Sequence, residues 1–195
     1  MRLLVIVLLL LPMQACLAAD LLAEIGARLL KTEITEGRFR QEKIITVLKK
    51  PLLSTGTFTY HRKQGVIWQT LTPLPSVLLV NQTRLLTTQG EQILPPAFGR
   101  VFTAVVGGDL PLLNEGFDIT GANGEGAWQL QLRPKDALLQ KIITRLQLTG
   151  DKALRQLEIR EANGNSTRIT FEKITHPKTL TPAQEADFER LSSSH

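Results

Sequence analysis

Hydrophobic positions along the chain change period several times, and each change predicts an element. Leu3 to Leu11 is an unbroken apolar run. Leu21, Leu22, Ile25, Leu29 and Leu30 then recur at three- and four-residue steps, the mark of an amphipathic helix. Asp20 is placed to cap it, and Gly26 weakens it slightly. From Leu53 the period becomes two: Phe58 and Tyr60 fall on one side, and Thr55, Thr57, Thr59 and His61 on the other. Val66 to Gln69, Ser76 to Val80 and Arg84 to Thr88 read as further strands, with Pro73 and Pro75 bending the chain between them. After Pro95-Pro96 the stripe Phe98, Val101, Phe102, Val105 and Val106 predicts a second helix, stopped by Gly107-Gly108.

Downstream the strands resume. Phe117 to Thr120 is one. Trp128, Leu130 and Leu132 alternate with polar neighbours, as do Leu157 with Ile159 and Ile169 with Phe171. Ile142, Leu146 and Leu148 are expected on one face, with Ile143, Arg145 and Gln147 on the other. Thr149 to Lys152 and Ala162 to Asn165 are hairpin turns. A short helix from Thr181-Pro182-Ala183 to Leu191 closes the chain. Many half-buried strands with short connections imply one antiparallel sheet, wet on one face and apolar on the other. Two substantial helices are available to cover the apolar face. The pattern is compatible with a cavity between sheet and helices and with an ordinary packed core.

The N-terminus changes the setting. Met1-Arg2, the apolar run and the small residues around Ala15 to Ala19 make a secretory signal, so residues 1–19 are a signal peptide and 20–195 one domain. Cleavage before Ala19 or before Asp20 fits. The run is shorter than the roughly 20 residues of a spanning helix. Met13-Gln14-Ala15-Cys16 offers the alternative of a lipidated Cys16, though Met13 and Gln14 match such a box poorly. Removal of the signal leaves no cysteine, which excludes a disulfide framework and a thiol nucleophile. It also leaves 22 Lys and Arg against 18 Asp and Glu, a net +4, scattered along the chain; nucleic acid is not an expected partner.

Catalytic constellations are missing. His61, His176 and His195 lack ligand-like spacing, no serine sits in a nucleophile elbow, and Gly121 to Gly126 precedes a strand and not a helix. No enzyme, metal site or cofactor is therefore expected.

Residues 39 to 80 are more specific. Phe39-Arg40-Gln41 is followed by Ser54-x-Gly56, Phe58, Arg62, Val66, Trp68, Pro73 and the short apolar strand Ser76 to Val80. In this spacing the chain resembles the LolA family of periplasmic lipoprotein carriers. It departs from the family pattern at Lys63, where a proline is usual, at Val66, where an aromatic is usual, and in its short tail after Phe171.

The resemblance implies a mainly β (α+β) fold: a curved antiparallel incomplete β-barrel covered by an α-helical lid, as in LolA and LolB. It implies a monomeric periplasmic carrier for an acylated cargo, a lipoprotein or lipid, taken from an inner-membrane transporter and passed to an outer-membrane acceptor. Phe58, Tyr60, Val66, Trp68, Leu78, Val80, Trp128 and Leu130 would line the cargo cavity, although Trp68 also fits a core anchor. Phe98, Val101, Phe102 and Val105 would form the lid helix. Arg62 would bond to lid backbone and control opening; taken alone, it also fits a side chain that reaches out to water. A non-catalytic scaffold or accessory protein of a membrane lipid-export complex is the alternative function.

Overall fold

The computed structural model describes residues 14–29, 31–82, 84–87, 90–93 and 103–193. Helix α1 (Gln14–Arg28) leads into six strands: β1 (Ile34–Ile44), β2 (Leu52–His61), β3 (Gly65–Thr72), β4 (Ser76–Val80), β5 (Arg84–Thr87) and β6 (Gly90–Ile93). A helical segment α2 (103–107), a 3-10 turn (Leu110–Leu112) and α3 (Leu113–Gly116) lead on to β7 (Phe117–Asn123) and β8 (Trp128–Pro134). Helix α4 (Ala137–Gln140), β9 (Ile143–Gly150), β10 (Leu154–Glu161), β11 (Ser166–Thr175) and α5 (Pro182–Ser192) complete the chain.

The strands form one curved, unclosed sheet of eleven, in the order β6-β5-β4-β3-β2-β1-β11-β10-β9-β8-β7, with every neighbouring pair antiparallel. Two meanders thus meet where β1 pairs with β11. The expected fold class is the one observed.

Glycines opposite aromatics assist the curvature. Phe39 is the cross-strand partner of Gly56, Phe58 of Gly37, and Trp128 of Gly150. A Cβ at Gly56 would stand 2.7 Å from the Phe39 ring, and one at Gly37 would stand 2.6 Å from the Phe58 ring. Each bare backbone lets a large ring lie flat across the neighbouring strand, so the sheet can bend around its aromatic side.

Helices α1, α2 and α3 cover the concave face. Leu22 and Ile25 of α1, Leu29 just after it, Ala104, Val105 and Val106 of α2, and Leu110 and Leu113 share one core with Phe58, Tyr60, Val66, Trp68, Trp128, Leu130 and Phe171.

Several expectations need correction. The convex face is not wet throughout. Ile67 and Leu79 are buried there against Phe188 and Leu191 of α5, with Val77 and Leu86 packed beside them. Strands β3 and β4 are therefore buried on both faces, which is why they read as continuous apolar runs. Helix α1 starts ahead of Asp20, so that residue lies within the helix and does not cap it. At the start of β9 a register shift sets Arg160 opposite Arg145 but Glu161 opposite Ile143. The extra residue reverses the alternation, burying Ile143 and exposing Ile142.

Candidate functional site

The floor of the site is built by register. Phe58 pairs with Trp68, Tyr60 with Val66, Trp68 with Leu78, and Val66 with Val80, so these six side chains emerge on the same face. Trp128 and Leu130 emerge on that face from the far side of the sheet, paired with Gly150 and Leu148. Seven of these eight residues are buried, and Leu78 is half-buried at the edge of the same core. An aromatic cluster stiffens the centre: Phe39 stacks on Trp68 at 3.8 Å between centroids, while Phe171 meets Phe58 and Trp68 edge-on at 5.4 and 6.2 Å. The Trp128 indole N–H donates to Asp151 O at 2.8 Å, which holds the ring in place.

The cover fits closely. Val105 is buried on this floor. Phe98, Val101 and Phe102 lie outside the described residues. Gly107 rests against the Tyr60 ring so tightly that a Cβ would overlap Tyr60 Cζ. Gly108 follows at φ +69, the left-handed conformation that ends a helix and favours glycine. Between floor and cover a space of about 40 Å³ remains, lined by Leu29, Phe58, Val106, Leu154, Phe171 and Ile174 among others. That is room for a few waters, far below the roughly 150 Å³ in which an engineered apolar cavity takes up benzene. An acyl chain does not fit this space as it stands.

Polar contacts gather at one rim of the sheet. Arg62 follows β2 and lies exposed in the β2–β3 turn, close to Tyr60. Its Nη2 donates to Thr32 O at 3.1 Å and its N–H to Glu33 O at 3.0 Å, both in the segment joining α1 to β1. Beside it a cleft of about 440 Å³ runs between α1 and residues 107–111, with Tyr60 at its base. Burial pushes the Tyr60 phenol up; Arg62 draws it partly back, and Asp109 and Glu33 add to the rise. At the other side of α1, Arg28 donates to Asn123 Oδ1 and Gly124 O, both at 2.5 Å, and to Glu125 O at 3.1 Å. The α1 terminus is thus fastened to the β7–β8 turn.

Residues 31–184 match the family described as outer membrane lipoprotein carrier protein LolA. The chain belongs to the LolA family. The crystal structure of a LolA-superfamily protein from Nitrosomonas europaea is similar in fold, with a TM-score of 0.50 at 9% identity over 84% of this chain and 94% of that one. A DUF1329 family protein from Desulfovibrio piger has a TM-score of 0.51 at 9% identity, over 87% of this chain and 96% of that one. No curated protein matches the sequence.

Against the LolA pattern, the two departures in the motif region have structural readings. Lys63 occupies an exposed turn position, where loss of proline touches no core contact. Val66 is wholly buried, and the Phe39 ring stacked on Trp68 supplies aromatic area nearby. Two features escaped sequence reading. Arg28 looks like any basic residue in a last helical turn, and its partners are about 95 residues away. Gly107 was legible as a helix stop but not as the contact point with Tyr60. Among the described residues no group of three or more His, Cys, Asp or Glu could hold a metal ion, and no helix is long and apolar enough to cross a membrane.

Proposed function

We propose that this LolA-family protein is a periplasmic carrier that shields the acyl chains of a lipoprotein or lipid on the concave face of its sheet and delivers them towards the outer membrane. The observation that carries this reading is the site's construction. A continuous apolar floor is closed by short helices, and polar contacts from Arg62 and Arg28 at one rim hold the segments around α1 in place. Cargo enters when the helices lift and the acyl chain replaces their side chains on the floor. Each methylene buried favours retention by about 0.8 kcal/mol. Polar contacts made only in the closed state oppose retention and promote release. The donor is an inner-membrane transporter and the acceptor an outer-membrane component. The protein works as a monomer without a cofactor or catalytic residues.

Export follows from the first nineteen residues. The buried residues described in α1, from Leu22 onward, all lie beyond the expected cleavage site, so removal of the signal spares them. The mature protein should begin at Ala19 or Asp20 on N-terminal sequencing; a diacylglyceryl group on Cys16 would instead tether it.

The small space between Phe58 and Val106 favours a second reading, a non-catalytic scaffold or accessory protein of a membrane lipid-export complex that holds no ligand. Native mass spectrometry of protein taken from the cell envelope, followed by lipid extraction, separates the two. A co-purifying acyl species supports the carrier. Protein that stays empty after incubation with acylated peptides supports the scaffold.

A further inference from the structure

The exposed apolar side chains are unevenly placed. Ten large ones are exposed among the described residues, and nine lie along a single rim of the sheet; the tenth is Leu112. This rim carries the β1–β2, β3–β4, β8–β9 and β10–β11 connections, brought to one end by the registers Lys43↔Leu52, Thr70↔Ser76, Ile44↔Ser166 and Glu161↔Ile143. Val47 is 86% exposed, Leu74 78% and Leu138 70%. The opposite rim, with the turns at residues 62–64, 81–82, 124–127 and 151–153, has Leu112 alone among these ten beside it, next to Arg62 and Gln82. A monomer scatters such residues singly; a concentration at one end marks a contact surface.

Charge on the same rim identifies the partner. Lys49 and Lys50 follow Val47 and Leu48 directly, and Lys141 stands between Leu138 and Ile142; all three lysines are exposed. Nearby acids are engaged within the protein. Glu161 pairs with Lys43 at 3.3 Å, and Asp136 caps α4 by accepting from the Leu138 and Leu139 N–H groups. Apolar tips interleaved with lysines suit an anionic bilayer, where the tips enter the headgroup boundary and the ammonium groups meet lipid phosphates. We infer that this rim docks the protein on an anionic phospholipid surface. The rim lies at the opposite end of the strands from Arg62 and the β7–β8 turn, so docking leaves the polar contacts that hold α1 clear of the membrane. This inference does not depend on what the concave face carries.

The test is co-sedimentation of the purified chain with phosphatidylcholine vesicles, with and without phosphatidylglycerol. Wild type should bind the anionic vesicles and lose binding as salt rises. V47E combined with L74E should weaken binding about tenfold or more, and K49E combined with K50E should remove most of its dependence on phosphatidylglycerol. Q82E, on the opposite rim, should bind as wild type. All sites substituted are exposed, and unchanged thermal unfolding confirms that the variants fold. Equal binding by all variants would overturn the inference, as would failure of wild type to bind any vesicle. Self-association of wild type that the V47E and L74E changes abolish, with no vesicle binding, would assign the rim to a second copy and also overturn it.

Discussion

Gly107 in α2 lies directly on the ring of Tyr60 in β2, with no space between them for a methyl group. This is the closest approach of cover to floor among the described residues that a glycine makes possible. Adding a Cβ forces either the ring or the helix to move. Gly107→Ala should destabilise the closed conformation by about 1–3 kcal/mol, the usual cost of overpacking. Binding of an environment-sensitive apolar dye should rise in parallel, because the helix no longer seats. Wild-type dye binding and stability in Gly107→Ala would show that the contact does not hold the cover down.

The two arginines at the rim should act on cargo release more than on folding. Arg62 bonds backbone in the α1–β1 segment and Arg28 bonds the β7–β8 turn, so each contributes while α1 is seated. Arg62→Leu should accept an acylated peptide but transfer it several-fold more slowly to acceptor membranes, since the closed empty state has lost a stabilising contact. Arg62→Lys should fall between, because an ammonium keeps the charge but does not place a donor where Nη2 meets Thr32 O. Arg28→Ala should resemble Arg62→Leu. Transfer at the wild-type rate by well-folded Arg62→Leu would mark Arg62 as an ordinary surface residue.

Sequence reading reached the sheet and its apolar floor because period-two alternation reports burial directly. Phe58, Tyr60, Val66, Trp68, Trp128 and Leu130 all fall where alternation puts them. It missed the covering of the convex face, because Ile67 and Leu79 sit inside short apolar runs that look alike whether one face is buried or both. It misplaced Ile142, because a bulge leaves no mark in the pattern. Arg28 was invisible for a different reason: its contacts join residues far apart in the chain, and only the fold brings them together.

Helix α5 offers a control that separates stability from cargo handling. Phe188 is buried between α5 and β3–β5 on the convex face, near His61 at 5.8 Å between ring centroids. Phe188→Ala should cost about 3–5 kcal/mol of folding stability by chemical denaturation. At a temperature where the variant remains folded, its affinity for acylated peptide should match wild type. A large loss of affinity at that temperature would place α5 in the cargo site.

Asp151 gives a pH dependence with a definite sign. Burial would raise its carboxyl, yet the Arg155 side chain at 3.0 Å and the Ala153 N–H hold it below the usual range. A depressed folded value contributes stability in full above the ordinary carboxylate range and loses it as pH falls through the folded value. The carboxylate is 41% exposed, so solvent screening keeps the effect small. Asp151→Asn should therefore be slightly less stable than wild type at neutral pH, with the gap closing in acid. A constant gap across that range would mean that the charge contributes nothing.

On the proposed function the helices lift from the sheet to admit an acyl chain, since the space between Phe58 and Val106 has room for a few waters only. Spin labels on cysteines introduced at Ala27 in α1 and Gln129 in β8 of the mature protein report that motion as a distance distribution. Both positions are exposed. With a lipidated peptide added, the distribution should shift to longer distances, and it should return to the starting one when acceptor membranes remove the peptide. Tight binding of the peptide with an unchanged distribution would contradict the account.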